Sequence, residues 1–457
     1  MPDHGPSSEA RPPGPTPGAA LRRRLGLGTA TAVVVANMIG TGIFTTTGLM
    51  LARLESGWLV FACWIAGGAI AACGALSYAE LATMMPRAGG EYVYLREIYG
   101  PLAGFLSGWI SFFVGFSAPI AATGVAIATY LSAAGAIPAA WPAEKGLALA
   151  VVAALTAVHH RGLRSGAVAQ NVLTGLKLLL IGGMLAVGFA AGAGSWAFLD
   201  PGGAFWSRGR WDQAGVALLY AMFAYSGWNA SAYLAGEMVR PQRNLPRSLL
   251  LGTLAVTAIY LAVNLLFFFA APAPELAGTI AVGEAAARHL FGAGAATALA
   301  LLIGLSLLSS LSAYILIGPR VYYAMALDGL FFRFAARVHP RFETPAASIL
   351  LQGGCAALMI LSGTFEQLLT YIGFALGIFP WLAVAGLFVL RRREPARERP
   401  YRAWGYPLVP AFYLLAGALL LLAVLVTRPG PSLLALLTVA AGVPAYRLVA
   451  RGARAGG

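Results

Sequence analysis

Apolar runs of eighteen or more residues recur along almost the whole chain. A run of that length crosses the hydrocarbon core of a bilayer as a helix. Lipid offers the backbone no hydrogen bonds, so each crossing segment must satisfy its own, and a helix does so within one segment. Composition agrees. Of 457 residues 59% are hydrophobic and 11% charged, against about 25% charged in soluble domains. The chain reads as an all-α polytopic membrane protein. Twelve spans are expected, near 28–52, 57–85, 102–134, 146–160, 167–191, 212–238, 247–271, 293–325, 345–363, 367–390, 407–427 and 431–449.

A net charge of +14 raises the question of nucleic acid, and the position of the charges answers it. They sit in short loops between spans, with no basic helix interleaved with aromatics, so no nucleic-acid partner is expected. With the N-terminus inside, most of the 31 Lys+Arg fall on one side, among them Arg22, Arg23, Arg24, Arg161, Arg164, Arg240, Arg243, Arg247, Arg391, Arg392 and Arg393. The other side holds Arg53, Lys145, Arg208, Arg210, Arg288 and Arg428. The positive-inside rule then puts both termini in the cytoplasm of a cell whose plasma (inner) membrane holds the protein. Residues 1–24 read as a disordered cytoplasmic tail, rich in Pro, Gly, Ser and Ala. The basic triplet Arg22-Arg23-Arg24 resembles the start of a signal peptide, but the apolar run behind it is too long for one and is read as retained. Cys63, Cys73 and Cys355 fall inside spans, without metal or redox spacing.

The first span has a flaw at its middle. Gly40 and Gly42 flank Thr41 in VVVANMIGTGIFTTTGLMLA (33–52). Each glycine costs about 1 kcal/mol against alanine in a helix interior, so this is the easiest place to unwind. Unwound backbone at membrane depth is tolerated only where it lines a cavity. The N–H groups opening the following half-helix favour negative charge. The stretch reads as a site for a small anionic group such as a carboxylate. Span six carries a second flaw, where Ser226-Gly227 stands with Trp228 and Asn229 in FAYSGWNASAYLAGEM (223–238). Interruptions in first and sixth place suggest two five-helix halves of opposite topology, the inverted repeat of the leucine-transporter-like fold, with its site at mid-membrane between the broken helices. The expected units are 25–195 for the first repeat, 210–395 for the second, 400–450 for two further spans and 451–457 for a cytoplasmic tail.

At these residues the chain resembles the amino acid–polyamine–organocation superfamily, and within it the L-type amino acid transporter branch. The motifs are NMIGTGIF (37–44), ALSYAELATMMPRAGGEYVYL (75–95), QNVLTGLKLL (170–179), FAYSGWN (223–229) with GEMVRPQRNLPRS (236–248), GPRVYYAMALDGLFF (318–332) and RPYRAWGYPLVP (399–410). Each is weak alone; in this order they are specific. The resemblance implies a permease for L-amino acids working by alternating access. It implies that the substrate carboxylate meets N–H groups of Gly40, Thr41 and Gly42, with Ile39 just before, and that the α-ammonium meets carbonyls of Phe223, Ala224 and Ser226 near Asn229. Phe223 matches the family's aromatic gate.

Lys177 is one of two lysines, set among Leu, Ile and Gly about ten residues into span five. A charge at that depth costs about 3 kcal/mol or more and marks function. It resembles the lysine that relatives place where sodium-coupled members hold sodium, bridging the first-span break to hydroxyls of span eight. Ser309, Ser310 and Ser312 are the candidate partners. Sodium-independent transport follows, and coupling to protons through Lys177 stays open. Glu80 and Glu237 read as gate or structural ion pairs near Arg87 and Arg240. Asp328 is expected to pair with a neighbouring arginine, and Leu327 stands where the family often has arginine.

With no acidic residue expected at mid-membrane depth beside either break, neutral substrates are expected; cationic amino acids or polyamines are the alternative. Human-type relatives join a glycoprotein through a cysteine in the loop after span three. Here that loop, AAGAIPAAWPAEK (133–145), has none, so no disulfide-linked heavy chain is expected. An intramembrane enzyme is the rival class. His4, His159, His160, His289 and His339 are all placed in tails or loops, no paired carboxylates face the interior, and no cofactor or metal is expected. A channel would want a continuous polar stripe, where discrete breaks stand instead.

Overall fold

In a computed structural model the protein is described over residues 25–87, 89–161, 163–199, 208–339, 344–362 and 365–455, with backbone alone for 163–171, 191, 237, 365–367 and 450–455. The tail 1–24, with its arginine triplet, lies outside the described residues, as do the side chains of Arg164 and Glu237. The described secondary structure is helical apart from one bridge, Leu25 to Met238.

The first span is two helices, α1 (Leu27–Met38) and α2 (Thr41–Leu54), separated at Ile39 and Gly40. Then follow α3 (Gly57–Met84) and α4 (Glu91–Tyr99), a short amphipathic helix outside the spans. The third span is α5 (Pro101–Ile110), a π-helical segment over Ser111–Ser117, and α6 (Ala118–Ala133). Pro119 explains the widened turns. It has no N–H to return to Gly115, and its ring would press on that carbonyl in a regular α-helix. After α7 (Trp141–His160) and α8 (Leu163–Ala191) comes the sixth span. It too is broken, into α9 (Ala214–Ala224), a turn over 225–229, and α10 (Ala230–Tyr233). The remaining helices are α11 (Pro241–Ala270), α12 (Ala273–Leu276), α13 (Val282–Phe291), α14 (Ala293–Leu327), α15 (Ala346–Ser362), α16 (Phe365–Arg393), α17 (Leu408–Thr427) and α18 (Pro429–Ala455).

Ten helical stretches among the described residues are long and apolar enough to cross a membrane. The broken sixth span and the shorter α15 are not among these ten. Burial separates centre from rim. The most apolar stretch of Pro101–Ala133 is 83% buried and those of Leu27–Leu54 and Ala293–Leu327 are 67% buried, whereas those of α7, α17 and α18 are 17% buried. The broken first span and the α5–α6 and α14 helices therefore form the centre. The rim helix α17 leaves Leu415, Leu419, Leu422 and Val426 uncovered, as a lipid-facing surface requires.

The two broken spans touch, because small residues let their backbones close up. A Cβ on Gly42 would overlap Ala224 at the end of α9. Gly227, in the left-handed region at φ +94°, would bring a Cβ to 3.0 Å of the Asn37 carbonyl carbon. Neither position tolerates a side chain without moving one half-helix from the other. Gly42→Val is therefore expected to cost about 1–3 kcal/mol by overpacking. A lower melting temperature of the purified protein in detergent, with uptake reduced more than protein yield, is the result to look for.

Candidate functional site

A cavity of about 140 Å³ lies beside the second break. One water needs only about 10–15 Å³ on this measure, so the space holds a small solute. Its walls come from the break (Phe223, Ser226, Asn229), from Asn37 of α1, from the π-helical segment (Ser111, Phe116) and from Tyr314 of α14. Of the eight residues expected to meet substrate, Phe223, Ser226 and Asn229 line this space. Ile39, Gly40, Thr41, Gly42 and Ala224 do not. Tyr314 stands between the cavity and Gly40: a Cβ on Gly40 would lie 3.7 Å from its hydroxyl.

The first break offers donors. Ile39 N–H still closes α1 on the Val35 carbonyl at 3.0 Å. The N–H groups opening α2, at Thr41 and Gly42, have no carbonyl a turn behind them, and Gly40 N–H has no partner among the described residues. The second break offers acceptors, some already used. The Phe223 carbonyl accepts from Ser226 N–H at 3.0 Å, and the Gly227 carbonyl from Ala230 N–H at 2.9 Å. Tyr260 of α11 joins the two breaks. Its hydroxyl, fully buried, reaches both the Met38 carbonyl and the Ala224 carbonyl, the latter at 2.8 Å, and shares its one proton between them. Sequence reasoning missed Tyr260, which sits in an otherwise ordinary apolar span.

Lys177 on α8 is wholly buried against the same break. Its Nζ donates to the Ile39 carbonyl, to Ser310 Oγ at 2.8 Å and to the Ala36 carbonyl at 3.4 Å. Three acceptors suit the three hydrogens of an ammonium, and a cation is favoured at the C-terminus of α1. Ser310 in turn donates to the Ile39 carbonyl at 3.0 Å. Among the three candidate serines only Ser310 meets Lys177. Ser312 Oγ pairs at 2.8 Å with His159 Nε2, and Ser309 Oγ is buried without a partner.

Three expectations need correction. His159 and His160 close α7 and His289 lies in α13, rather than in loops, and His159 is 2% exposed. Its chemistry is a polar contact to α14, invisible in sequence because the partner is 153 positions away. Next, an acidic residue from outside the expected spans reaches a break. Glu91, the first residue of α4, is 6% exposed and lines the cavity. Its Oε1 accepts from Asn229 Nδ2 at 2.5 Å and from Tyr78 at 2.9 Å, and its Oε2 accepts from Tyr233 at 2.7 Å. Burial pushes its carboxyl above the usual range, while the donors from Tyr233, Tyr78 and Asn229 pull it down. Finally, Glu80 is in an ion pair as expected, but its partners are arginines remote in sequence. Arg391 grips it bidentately at 3.0 and 2.6 Å, Arg399 lies at 3.3 Å and Ala403 N–H donates at 2.7 Å. Asp328 pairs with Arg96 of α4, which is remote in sequence, and accepts from Tyr92 at 2.5 Å.

The match to known proteins spans nearly the whole chain. A family model described as amino acid permease covers residues 25–443. Asc-type amino acid transporter 1 of Mus musculus is 32% identical over 435 residues, 94% of this chain and 81% of that protein. Large neutral amino acids transporter small subunit 2 of Homo sapiens is 32% identical over 437 residues, 94% and 81% of the two chains. Serine/threonine exchanger SteT of Bacillus subtilis (strain 168) is 30% identical over 440 residues, 93% and 96%. These relatives are named as transporters and an exchanger, which sets the enzyme reading aside.

The hydroxyl geometry separates the span-eight serines. Ser310→Ala removes an acceptor for a buried ammonium, and hydrogen bonds to charged groups contribute about 1.5–3 kcal/mol. Transport is expected to fall about tenfold or more, as in Lys177→Met. Ser309→Ala removes an unpaired hydroxyl and should leave transport and melting temperature near wild type. Side-by-side uptake by the three variants checks this; equal losses at Ser309 and Ser310 would contradict it.

Proposed function

The chain belongs to the amino acid permease family, and on that premise we propose that it moves neutral L-amino acids across the plasma membrane by sodium-independent alternating access. The observation that carries the reading is the meeting of two half-helix ends of opposite polarity. The N-terminus of α2, with unpaired N–H groups at Gly40, Thr41 and Gly42, suits a carboxylate. The C-terminus of α9, with the carbonyls of Phe223, Ala224 and Ser226, suits an ammonium. Gly42 against Ala224 brings these ends within reach of one zwitterion. Phe223 and Tyr314 are the ring side chains that close over it. The ammonium of Lys177 holds the first break in shape at the position where a sodium ion would otherwise do so.

Neutral substrates are favoured on two grounds. The matched relatives are named for large neutral amino acids and for serine and threonine. The acidic residue at the cavity, Glu91, already receives three donors from the protein, so a cationic side chain would have to displace them to pair with it directly. Exchange is favoured over proton symport by the name of the bacterial relative. The loop 133–145 has no cysteine, and Cys63, Cys73 and Cys355 lie within α3 and α15. This supports function without a disulfide-linked heavy chain.

The same reading includes twelve spans in a five-plus-five inverted repeat, with both termini cytoplasmic. Its support is the pair of breaks in first and sixth place and the gathering of charges at one end. There Glu80–Arg391 joins the ends of α3 and α16, Asp328–Arg96 joins the end of α14 to α4, and Glu97–Arg397 joins α4 to the segment after α16. Spans two, eight and ten thus finish on one side, the side rich in arginine.

Counterflow in proteoliposomes tests the proposal. Labelled neutral L-amino acids are expected to accumulate against the same unlabelled amino acid inside, equally with sodium or choline outside and without need of a pH gradient. Arginine and lysine should compete weakly. A strict sodium requirement, strong competition by the cationic amino acids, or accumulation only under a pH gradient would each overturn the corresponding part.

A further inference from the structure

Asn229 is the one amide side chain of the second break that reaches the cavity, and its orientation is imposed from outside the break. Its Nδ2 is spent on Glu91. Glu91 Oε1 accepts from that amide, so Asn229 turns its NH₂ toward Glu91 and its Oδ1 away. That Oδ1 has no hydrogen-bond partner among the described residues, and Asn229 lines the cavity. Glu91 itself is held firmly. Tyr78 of α3 donates to the same Oε1 and Tyr233 of α10 donates to Oε2. Tyr78 is fixed edge-on against Trp228 at 4.9 Å and Tyr94 at 5.8 Å. Glu91 also starts α4 directly after Gly90, whose φ of +54° and approach to the Tyr233 ring (a Cβ would lie 2.6 Å from it) leave no room for a side chain. The tight turn delivers the carboxylate to the break and prevents its withdrawal.

We propose that Glu91 is a positioning residue for amine recognition: it turns the Oδ1 of Asn229 toward the α-ammonium of the substrate and adds its own negative charge behind that oxygen. The inference rests on the amino acid transport reading above. Substrate carbonyl contacts at Phe223 and Ser226 alone make a weak amine site, since the Phe223 carbonyl is already shared with Ser226 N–H. A side-chain oxygen of fixed direction supplies the missing acceptor. Substrates that replace the ammonium with a hydroxyl lose the charge-assisted bond and are discriminated against. Glu91 does not touch the substrate in this arrangement. It acts through Asn229.

The experiment uses the full chain in detergent and in proteoliposomes, with the neutral L-amino acid the wild type exchanges fastest and its 2-hydroxy counterpart, for example L-alanine and L-lactate. Affinity is read from ligand-induced thermal stabilisation and from the half-saturation concentration of counterflow. Glu91→Leu frees the Asn229 amide. It is expected to weaken amino acid binding tenfold or more, to change hydroxy acid binding by less than about threefold, and to act on KM more than on the maximal rate. The swapped pair Glu91→Gln with Asn229→Asp reverses donor and acceptor and places a carboxylate oxygen toward the ammonium. It is expected to restore the preference for the amine, and it keeps the shape of the cluster should the leucine variant fail to fold. Equal weakening of both ligands in Glu91→Leu, or a swapped pair without amine preference, would overturn the proposal. Wild-type protein that exchanges no amino acid at all would instead overturn the transport reading on which it rests.

Discussion

Backbone polarity inside an apolar environment is the constraint on which this structure depends. Two helices are interrupted where lipid would punish every unpaired N–H and C=O. The interruptions survive because side chains from intact helices take over the lost bonds. Lys177 from α8 and Ser310 from α14 hold the Ile39 carbonyl, and Tyr260 from α11 holds the Met38 and Ala224 carbonyls. Carbonyls are thus well served, whereas the N–H groups opening α2 have no partner among the described residues. The asymmetry has a use. A break with every group satisfied would be inert, and a break with none would collapse.

The protein closes one end of the bundle by a different device. Glu80, with no exposed surface, receives Arg391, Arg399 and a backbone N–H, while Asp328 receives Arg96 and Tyr92. A buried ion pair contributes little net stability, but removing one partner strands the other charge at a cost of about 3–5 kcal/mol. Such pairs therefore register helices rather than glue them. Glu80 fixes α16 against α3 in this way, whereas Asp328 and Arg96, 33% and 41% exposed, make a more solvent-screened contact between α14 and α4.

Much of this was legible in the sequence, for reasons that differ by residue. Glycines flanking Thr41 and a Ser-Gly pair in span six announce helix breaks because their helical cost is local. Lys177 is conspicuous because a lone charge in an apolar run has no local excuse. Ser310 was one of three equal serines, and only the facing geometry of α8 and α14 separates them. Glu91, Tyr260 and His159 were not legible as site residues. Glu91 lies in a polar connecting segment, where carboxylates are ordinarily solvated, and its burial arises only when α4 folds under the second break. Tyr260 and His159 depend on partners 36 to 222 positions away. The π-helical turn at Ser111–Ser117 was likewise unannounced, although Pro119 within an otherwise regular span is its physical cause.

The charges near the two breaks are arranged with a sense. A cation, Lys177, stands behind the first break, one residue from the bare N–H of Gly40. An anion, Glu91, stands behind the second, one side chain removed from the cavity through Asn229. Each charge is hydrogen-bonded by neutral groups of the protein. Their fields nonetheless add to those of the half-helix ends: positive where α2 begins, negative where α9 stops. On the proposed function, a zwitterion with its carboxylate toward α2 would meet favourable potential at both ends, and the reversed orientation unfavourable potential at both. A net cation gains at one end only and must displace donors from Glu91 to gain more. On the proposed function, the half-helix ends and the two sequestered charges would thus bias an amino acid toward one orientation, with the Asn229 oxygen completing the amine contact.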